Sequence, residues 1–413
     1  MLIEPVAAHI PLDTEQGVLP LPRAHSRPDP GLRASDALPQ GDPQKMNFDF
    51  SEDQKLLQQT ARDYLAVHAP LATCREVLES DQPHAASLWK GAAEMGWQGA
   101  VIPEEHGGAG FGHLELAMIA YEVGRALAPI PFGPSVYVAT EALLRFGSET
   151  QQQAWLPRLA RGDAIGTFAF AEKTGQNAAE GVEAEVREGA LTGMKSPVLD
   201  GQSAHLAVVA ARENGEIGLY AVDLEGTGVR REALESFDPS RPQARLYFDG
   251  AAAEKLARTD ASSAAALLDR AAVLMAFEQV GAAERAFEIT REFILGRYAF
   301  GKPIAAFQAI KHRMADLWCE IELARSNAYY AAWALENEDP ELAVAACLAR
   351  ISASQAFEHT TVEMIELHGG VGYTWEYDCH LFYRRAKLLS AALGTPKYWK
   401  SLLIDRLAAE QAA

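Results

Sequence analysis

The segment from Arg297 to His312, RYAFGKPIAAFQAIKH, carries the residue types best suited to binding a charged ligand. Gly301 and Pro303 interrupt a long helical pattern there, and a new helical pattern opens at Gln308. A guanidinium at the end of one helix, beside the N-terminus of the next, suits a phosphate group. A plain helix–helix corner in which Arg297 forms a salt bridge has the same spacing. On spacing alone, both interpretations stay open.

Three blocks of sequence must position this segment. Ser51 and Gln54 have the spacing of a capping box before the first helix, and helical patterns continue to about residue 160. The glycine-rich segment Val101–Gly112 interrupts them as a loop. Short runs separated by turn residues between about 165 and 257 predict strands. After residue 260, three or four long amphipathic patterns predict helices that pack as a bundle.

These blocks predict an α+β fold with three domains. We expect an N-terminal helical domain at 46–164, a central β-barrel-like domain at 165–257 and a C-terminal four-helix bundle at 258–413. Residues 1–45 are rich in proline and have the features of neither a secretory signal nor a transit peptide. They are predicted to be a flexible extension, or else the product of an upstream start site.

The amino-acid composition limits the kinds of molecule that this chain is expected to bind. The formal net charge of −19 disfavours nonspecific binding to nucleic acid or an anionic membrane, although local basic residues can still bind a phosphate. No apolar run reaches the roughly 18 residues that suggest a membrane span. The four cysteines are far apart and form no C-x-x-C pair, which disfavours a disulfide framework or a zinc site and predicts no metal. A reducing cytoplasm is the expected compartment.

Three segments in order resemble the acyl-CoA dehydrogenase family. Arg297–His312 has the pattern R-x-x-F-G-x-P-x-x-x-F-Q-x-x-K-H, which looks like the family's flavin-binding signature. Glu366–Lys387, ELHGGVGYTWEYDCHLFYRRAK, resembles its second signature, and Gly394-Thr395 follows at the expected distance. The early loop Val101–Gly112, VIPEEHGGAGFG, also matches a family motif. The resemblance runs from about residue 46 to the end of the chain and implies the same α–β–α order.

The resemblance implies FAD as cofactor, placed between two subunits so that its ADP half contacts the neighbouring chain. The residues it assigns to the cofactor are Arg297, Phe300, Gln308, Glu366, Gly369, Gly370 and Thr395. Arg297 would pair with the pyrophosphate, and the two glycines would let backbone approach the cofactor closely. Glu366 stands where the family has a glutamine, and its carboxylate would repel a pyrophosphate unless a basic residue intervened.

The same resemblance implies an acyl-CoA substrate and α,β-desaturation of its thioester, with hydride transfer to the flavin. It also implies an electron-transfer flavoprotein as electron acceptor and a homo- or hetero-tetramer. A base must remove the α-proton, and a carboxylate suits this task because burial can raise its pKa toward the working pH.

The expected base is missing from both positions where the family keeps it. Leu393 stands immediately before Gly394-Thr395, and Ala271 occupies the alternative position on the first helix of the bundle. The backbone N–H of Leu393 can still donate to the thioester carbonyl. Asp269 is two residues from Ala271, about 200° around a helix, so pairing with a cation at the surface is the preferred role. Glu278 is predicted to be a structural hydrogen-bonding residue. The catalytic residue is therefore unknown.

The predicted β domain departs from the family as well. AEKTGQNA at residues 171–178 keeps only Glu172 of the segment that lines the flavin ring, and Pro197 replaces an aromatic residue. Three interpretations stay open: a self-sufficient FAD-dependent acyl-CoA dehydrogenase, a catalytically incomplete half-site subunit of an α2β2 enzyme, or different flavin chemistry on the same fold. The resemblance to paired subunits of sterol side-chain degradation favours lipid or steroid catabolism as the setting.

Overall fold

The first helix begins at the predicted capping box. A computed structural model describes residues 50–173 and 181–412. The Gln54 N–H donates to Ser51 Oγ at 3.1 Å, and the Ser51 N–H donates to Gln54 Oε1 at 2.9 Å, so two free donors at the helix start are satisfied. The predicted extension at 1–45 lies outside the described residues, and so does most of the predicted flavin-ring segment at 171–178.

The N-terminal third of the described chain is helical, as predicted. Its helices are α1 (Glu52–His68), α2 (Leu71–Leu78), α3 (Ala86–Glu94), α4 (His113–Arg125), a π-helical turn (Gly133–Thr140), α5 (Glu141–Phe146) and α6 (Glu149–Ala160). The Val101–Gly112 segment is a loop around a short 3₁₀ turn, because Gly107 and Gly110 adopt positive φ. The π-helical turn is completely buried and faces the sheet.

A mixed sheet follows. Its strands are β1 (Gly166–Ala169), β2 (Glu185–Arg187), β3 (Ala190–Leu199), β4 (Leu206–Glu213), β5 (Glu216–Asp223), β6 (Val229–Leu234), β7 (Gln243–Ala252) and β8 (Glu254–Lys255). Their order is β6-β7-β3-β2-β4-β5-β8, and β1 pairs in parallel with β4. The predicted β domain is confirmed, but its described strands form an open sheet and not a closed barrel, since β6 and β8 each pair with one neighbour.

The C-terminal helices form the predicted bundle. They are α7 (Ser263–Gly296), α8 (Gln308–Glu336), α9 (Leu342–His368), α10 (Cys379–Ala391) and α11 (Pro396–Ala412). A two-stranded ribbon of β9 (Tyr298–Ala299) and β10 (Lys302–Pro303) links α7 to α8. No helix in the described ranges is long and apolar enough to cross a membrane. The domain boundaries at 164 and 257 stay predictions.

Helix α7 is the centre of the described chain. It packs against α4, α8 and α9. Two glycines allow the close crossing with α4: a Cβ on Gly281 would overlap the carbonyl oxygen of Tyr121, and a Cβ on Gly124 would overlap that of Glu278. The crossing fixes the N-terminal helices onto the bundle, and α7 in turn contacts the π-helical turn and β5.

Candidate active site

A cavity of about 270 Å³ lies where the N-terminal helices, the sheet and the bundle meet. Among the described residues its walls are strongly apolar, with three polar side chains, none of them ionisable. The lining residues are Pro134, Val138, Thr167, Phe168, Phe170, Ala171, Pro197, Leu199, Gln243, Leu268, Met275, Ala391, Ala392, Leu393, Gly394 and Thr395. The cavity therefore brings Leu393, Pro197, Ala171 and Thr395, which the sequence singled out, to one place.

The three polar side chains of the wall differ in how much of their hydrogen-bonding capacity is already used within the protein. The Thr167 hydroxyl donates to the carbonyl of Leu199 at 2.7 Å. The Thr395 hydroxyl oxygen accepts from the N–H of Tyr398 at 3.3 Å. The amide of Gln243 has no hydrogen-bond partner within residues 50–173 and 181–412. A ligand in this cavity can thus form a full set of hydrogen bonds with one side chain only.

One wall is the segment from Ala391 to Thr395, which connects α10 to α11. Leu393 has φ +57° and Gly394 has φ +107°, so the chain turns sharply here. The indole N–H of Trp399 donates to the carbonyl of Leu393 at 3.1 Å, which holds the turn from the α11 side. No hydrogen bond within the described residues uses the Leu393 N–H. Its donation to a thioester carbonyl stays a prediction.

Arg350 holds the same segment from the α9 side. Its guanidinium is 1% exposed and donates to the carbonyls of Leu389 and Ala392, the latter at 2.6 Å. It also donates to Gln279 Oε1 and to Ser354 Oγ. Burial lowers the pKa of Arg350 to about 10, which leaves it charged at neutral pH. A cation at the C-terminus of α10 is favourable because the helix dipole is negative there.

The residues at and beside the two positions expected to hold the base place no carboxylate in the cavity. Leu393 lines the wall, and Ala271 is fully buried. Asp269 is also buried, and both of its oxygens accept from Arg406 at 2.8 and 2.9 Å. Burial raises the pKa of Asp269 to about 6, although Arg406 opposes the rise. Asp269 pairs with a cation as predicted, but the predicted surface location is wrong: the pair is largely buried, because it joins α11 to α7.

Two other carboxylates near the cavity are also engaged. Glu278 lies 3.4 Å from Arg241, which also binds Asp200 at 2.9 Å. All three are buried, so Glu278 has the structural role that the sequence predicts. Glu172 accepts from the buried ammonium of Lys195 at 2.7 Å and from the N–H groups of Glu183 and Ala184.

The other predicted cofactor residues lie at one end of the bundle, outside the cavity. They are exposed: Arg297, Phe300, Gln308, Glu366, Gly369 and Gly370. The rings of Phe293 and His368 stack at 4.1 Å, which brings together the end of α7 before Arg297 and the end of α9 before Gly369. Of the predicted set, only Thr395 lines the cavity.

This exposed end has the features of an anion site. The Arg297 guanidinium has no ion-pair partner among the described residues. Gly369 has φ +64°, and neither it nor Gly370 has a heavy atom within 4 Å of an added Cβ, so backbone is open to a ligand. Glu366 has a basic neighbour: the pKa of Arg313 is raised first by its bond to Glu363 and further by the charge of Glu366. The predicted repulsion between Glu366 and a pyrophosphate stays a prediction, since Arg313 is already paired with Glu363.

Sequence reasoning missed Arg350 and Gln243. Arg350 is the one arginine inside an alanine-rich helical stretch, LAVAACLARISASQ, and a lone charge in such a stretch is a signal of a buried polar contact. Gln243 carries no signal of this kind, because its place in the wall depends on how β7 pairs with β3.

Comparison with known proteins identifies the class that this fold and cavity belong to. Residues 51–163 match "Acyl-CoA dehydrogenase, N-terminal domain", and residues 261–408 match "Acyl-CoA dehydrogenase, C-terminal domain". The chain belongs to the acyl-CoA dehydrogenase family, which is FAD-dependent. It is 33% identical to "Acyl-CoA dehydrogenase IpdE2" of Mycobacterium tuberculosis over 347 residues, 84% of this chain and 94% of the relative.

Two solved structures of paired proteins are similar throughout. The "Tcur3481-Tcur3483 steroid ACAD" has a TM-score of 0.81 and 30% identity, covering 88% of this chain and 99% of its own. The ChsE4-ChsE5 complex from Mycobacterium tuberculosis has a TM-score of 0.80 and 28% identity, covering 89% and 99%. The predicted family and fold are confirmed.

Proposed function

We propose that this chain takes part in the FAD-dependent α,β-dehydrogenation of an acyl-CoA thioester. The observation that carries the proposal is the apolar cavity at the junction of three layers in a chain of this family, closed by the Leu393–Thr395 turn. When bound, FAD would supply the hydride acceptor. The apolar walls would exclude water, and the Leu393 N–H would polarise the thioester carbonyl.

The residues present fit the two halves of FAD unequally. The unpaired Arg297 and the open glycines Gly369 and Gly370 suit a pyrophosphate, with Phe300 and Gln308 beside them. The cavity offers the flavin ring few polar groups, of which Gln243 alone is free among the described residues. The base for the α-proton does not come from the described wall, because that wall has no ionisable side chain.

A second candidate is a half-site subunit of an α2β2 acyl-CoA dehydrogenase. The missing base favours it: the described lining of the cavity has no ionisable side chain, whereas an exposed ADP-binding end is expected for either candidate. The exposed end would then complete a partner subunit's FAD site. The similar ChsE4-ChsE5 structure is a complex of two proteins, which supports the assembly, and the similar Tcur3481-Tcur3483 structure is a steroid ACAD, which supports a setting in lipid or steroid catabolism.

One purification separates the candidates. The chain is purified alone, and its flavin absorbance, flavin stoichiometry, mass in solution and anaerobic bleaching by acyl-CoA are measured. A self-sufficient dehydrogenase is expected to carry one FAD per chain and to bleach with acyl-CoA. The half-site candidate would be established if the chain purified alone holds no flavin and a co-expressed second dehydrogenase subunit restores both flavin and activity. Bleaching by a substrate without CoA would point to different flavin chemistry.

Further properties of the assembly are proposed from the family. We propose a tetramer of identical or paired chains and an electron-transfer flavoprotein as electron acceptor. The exposed aromatic residues beside the anion-binding end, such as Tyr298, Phe300 and Tyr373, support an interface there. The four cysteines are free, which supports a reducing compartment such as the cytoplasm. Reduction of a purified electron-transfer flavoprotein by the substrate-loaded enzyme tests the acceptor.

A further inference from the structure

Arg350 is a buried cation that forms no ion pair with any carboxylate of the described residues. Its guanidinium donates to uncharged groups, namely the carbonyls of Leu389 and Ala392, the amide oxygen of Gln279 and the hydroxyl of Ser354. Its buried Nε–H has no hydrogen-bond partner within the described residues. Burying an unpaired charge is strongly unfavourable, so these uncharged acceptors offset only part of the cost.

The carboxylates whose charges reach Arg350 are bound to other cations. Burial lowers the pKa of Arg350, and the charges of Glu278 and Glu358 oppose the lowering. Glu278 lies 3.4 Å from Arg241, and Glu358 lies 3.1 Å from Lys387. Arg350 therefore contributes a positive charge that has no carboxylate of its own.

The peptide group between Ala392 and Leu393 connects this charge to the cavity. Arg350 binds the carbonyl of Ala392 at 2.6 Å, and the N–H of the same peptide group belongs to Leu393, which lines the cavity. The peptide is trans, so its C=O and N–H point in opposite directions. A cationic donor on the carbonyl polarises the peptide group and makes its N–H a stronger donor. Arg350 can thus strengthen this donor without contacting the ligand.

The end of α10 would otherwise oppose negative charge at this N–H. The helix ends at Ala391, immediately before the peptide group, and the C-terminus of a helix carries partial negative charge. A thioester oxygen bound to the Leu393 N–H would lie beside that end, and polarisation of the carbonyl makes this oxygen more negative. Arg350, which binds the carbonyls of Leu389 and Ala392, places a full positive charge at the same end. In a buried site that charge acts with little screening.

We propose that Arg350 is a positioning residue for the thioester carbonyl: through the Ala392–Leu393 peptide group it makes the Leu393 N–H a stronger donor and offsets the negative end of α10. The inference rests on the proposed function for the thioester ligand. It goes beyond that function by naming the charge that polarises the thioester. Carbonyl polarisation in this cavity then depends on a cation that is not part of the wall.

The infrared absorption of a bound thioester measures this polarisation directly. The probe is phenylacetyl-CoA with an isotope label at the thioester carbonyl carbon; it has no hydrogen at Cβ, so it cannot be dehydrogenated. It is added to the FAD-loaded chain or, where the chain holds no flavin alone, to its complex with a second subunit. We expect the labelled C=O stretch to lie at lower wavenumber when the probe is bound than when it is free in water, because the polarised carbonyl has a weaker double bond.

Gln279→Glu separates the charge of Arg350 from its structural role. The change keeps the shape of the side chain and replaces the amide oxygen that Arg350 already binds with a carboxylate oxygen. The neighbouring guanidinium keeps the new carboxylate ionised. The bond from Arg350 to Ala392 remains, so a purely structural role predicts an unchanged spectrum, whereas we expect most of the shift to be lost. Gln355→Glu adds the same charge at an exposed position of α9 and should keep the wild-type shift.

The outcomes separate this inference from the proposed function. Equal shifts in the wild type and in Gln279→Glu would overturn the inference alone. Ser354→Asp places a carboxylate at another group that Arg350 binds, and it decides in the same way if Gln279→Glu does not fold. If the probe does not bind at all, the proposed function is refuted, and this inference with it.

Discussion

The guanidinium of Arg350 donates a 2.6 Å hydrogen bond to the carbonyl of Ala392, one residue before the Leu393 turn that closes the cavity. The two residues are 42 positions apart: Arg350 lies on α9, and Ala392 lies in the segment that connects α10 to α11. Arg350 is therefore a positioning residue for the wall of the candidate site, because it also binds the carbonyl of Leu389.

Arg350→Met should destabilise the fold and loosen the cavity. The change leaves the buried carbonyls of Leu389 and Ala392 without a donor and removes one of the donors to Gln279 Oε1, so we expect the free energy of unfolding to fall by about 3 kcal/mol. Arg350→Lys should recover part of the loss. Urea denaturation measures the stability of the fold. The affinity for Nile red, a neutral fluorescent dye, reports whether the cavity keeps its shape. Arg161→Met, on the surface, is the control; equal stability of Arg350→Met and the control variant would remove the positioning role.

Leu393→Glu should supply the base that the wall lacks. A positioned general base contributes about 10²- to 10⁴-fold, so flavin bleaching by acyl-CoA should accelerate by a factor in that range. Leu393→Gln has nearly the same shape and no basic oxygen, which makes it the matched control. Stopped-flow absorbance of the FAD-loaded protein gives the rates. Equal rates for the two variants would show that a carboxylate at this position cannot reach the α-proton.

Arg297→Ala should weaken FAD binding without changing stability. Loss of a charge-assisted hydrogen bond to a pyrophosphate corresponds to roughly 10- to 100-fold in affinity. Arg291→Ala removes an exposed arginine from the same helix and is the control. Flavin content after gel filtration is measured for the chain alone and, where the chain binds no flavin alone, for its complex with a second subunit. Unchanged FAD affinity would exclude Arg297 from the pyrophosphate site.

Glu141 should make the fold sensitive to acid. Burial opposes ionisation, but the bonds from His113 and Arg270 outweigh it and lower the pKa of Glu141 from 4.5 to about 2. A carboxylate with a lowered pKa stabilises the fold above pH 4.5, and this stabilisation is lost as the pH falls through about 2. The contribution at neutral pH is roughly 3 kcal/mol.

Urea unfolding across pH 7 to 3 tests this contribution. Glu141→Gln should lie well below the wild type at pH 7, and the difference should shrink as the pH falls. Glu254→Gln, at an exposed position, should follow the wild type throughout. A difference for Glu141→Gln that stays constant with pH would mean that the ionised form of Glu141 is not what stabilises the fold.

Gly281→Ala should separate α4 from α7. The added Cβ would overlap the carbonyl oxygen of Tyr121, so the helices must move apart at an expected loss of about 1–3 kcal/mol. Gly296→Ala, at the end of the same helix, has open space and should be neutral or slightly stabilising. Thermal unfolding of both variants is sufficient. A neutral Gly281→Ala would show that the crossing is looser than its geometry implies.

The local sequence patterns predicted the helices of this fold because interactions between residues close in sequence determine where helices form. Ser51 and Gln54 are three residues apart and satisfy each other's backbone, so their capping box is readable without a structure. The helical period of the last third likewise predicted the bundle. The open sheet was not predictable in this way, because strand order depends on pairings between distant segments, such as β3 with β7.

The candidate site was predicted in part. The motif at Arg297 and the departure at Leu393 are visible as residue types at fixed spacing. Arg350 binds Ala392, which is 42 positions away, and Asp269 pairs with Arg406, which is 137 positions away. No periodic pattern in the local sequence encodes contacts between residues so far apart. The sequence therefore showed that the base is missing from its expected positions. It did not show that the neighbouring carboxylates are bound to cations of the protein.

Phe300 is 95% exposed and has φ +53°, next to Gly301 at φ +81°. A phenylalanine in the left-handed region is strained by about 1–2 kcal/mol, and its ring lies in water where burial would be favourable. In the proposed tetramer, an interface that covered this ring would couple association to folding by mass action, so that dilution and unfolding would favour one another. The number of copies in the cell would then itself help to determine how much of the protein is folded.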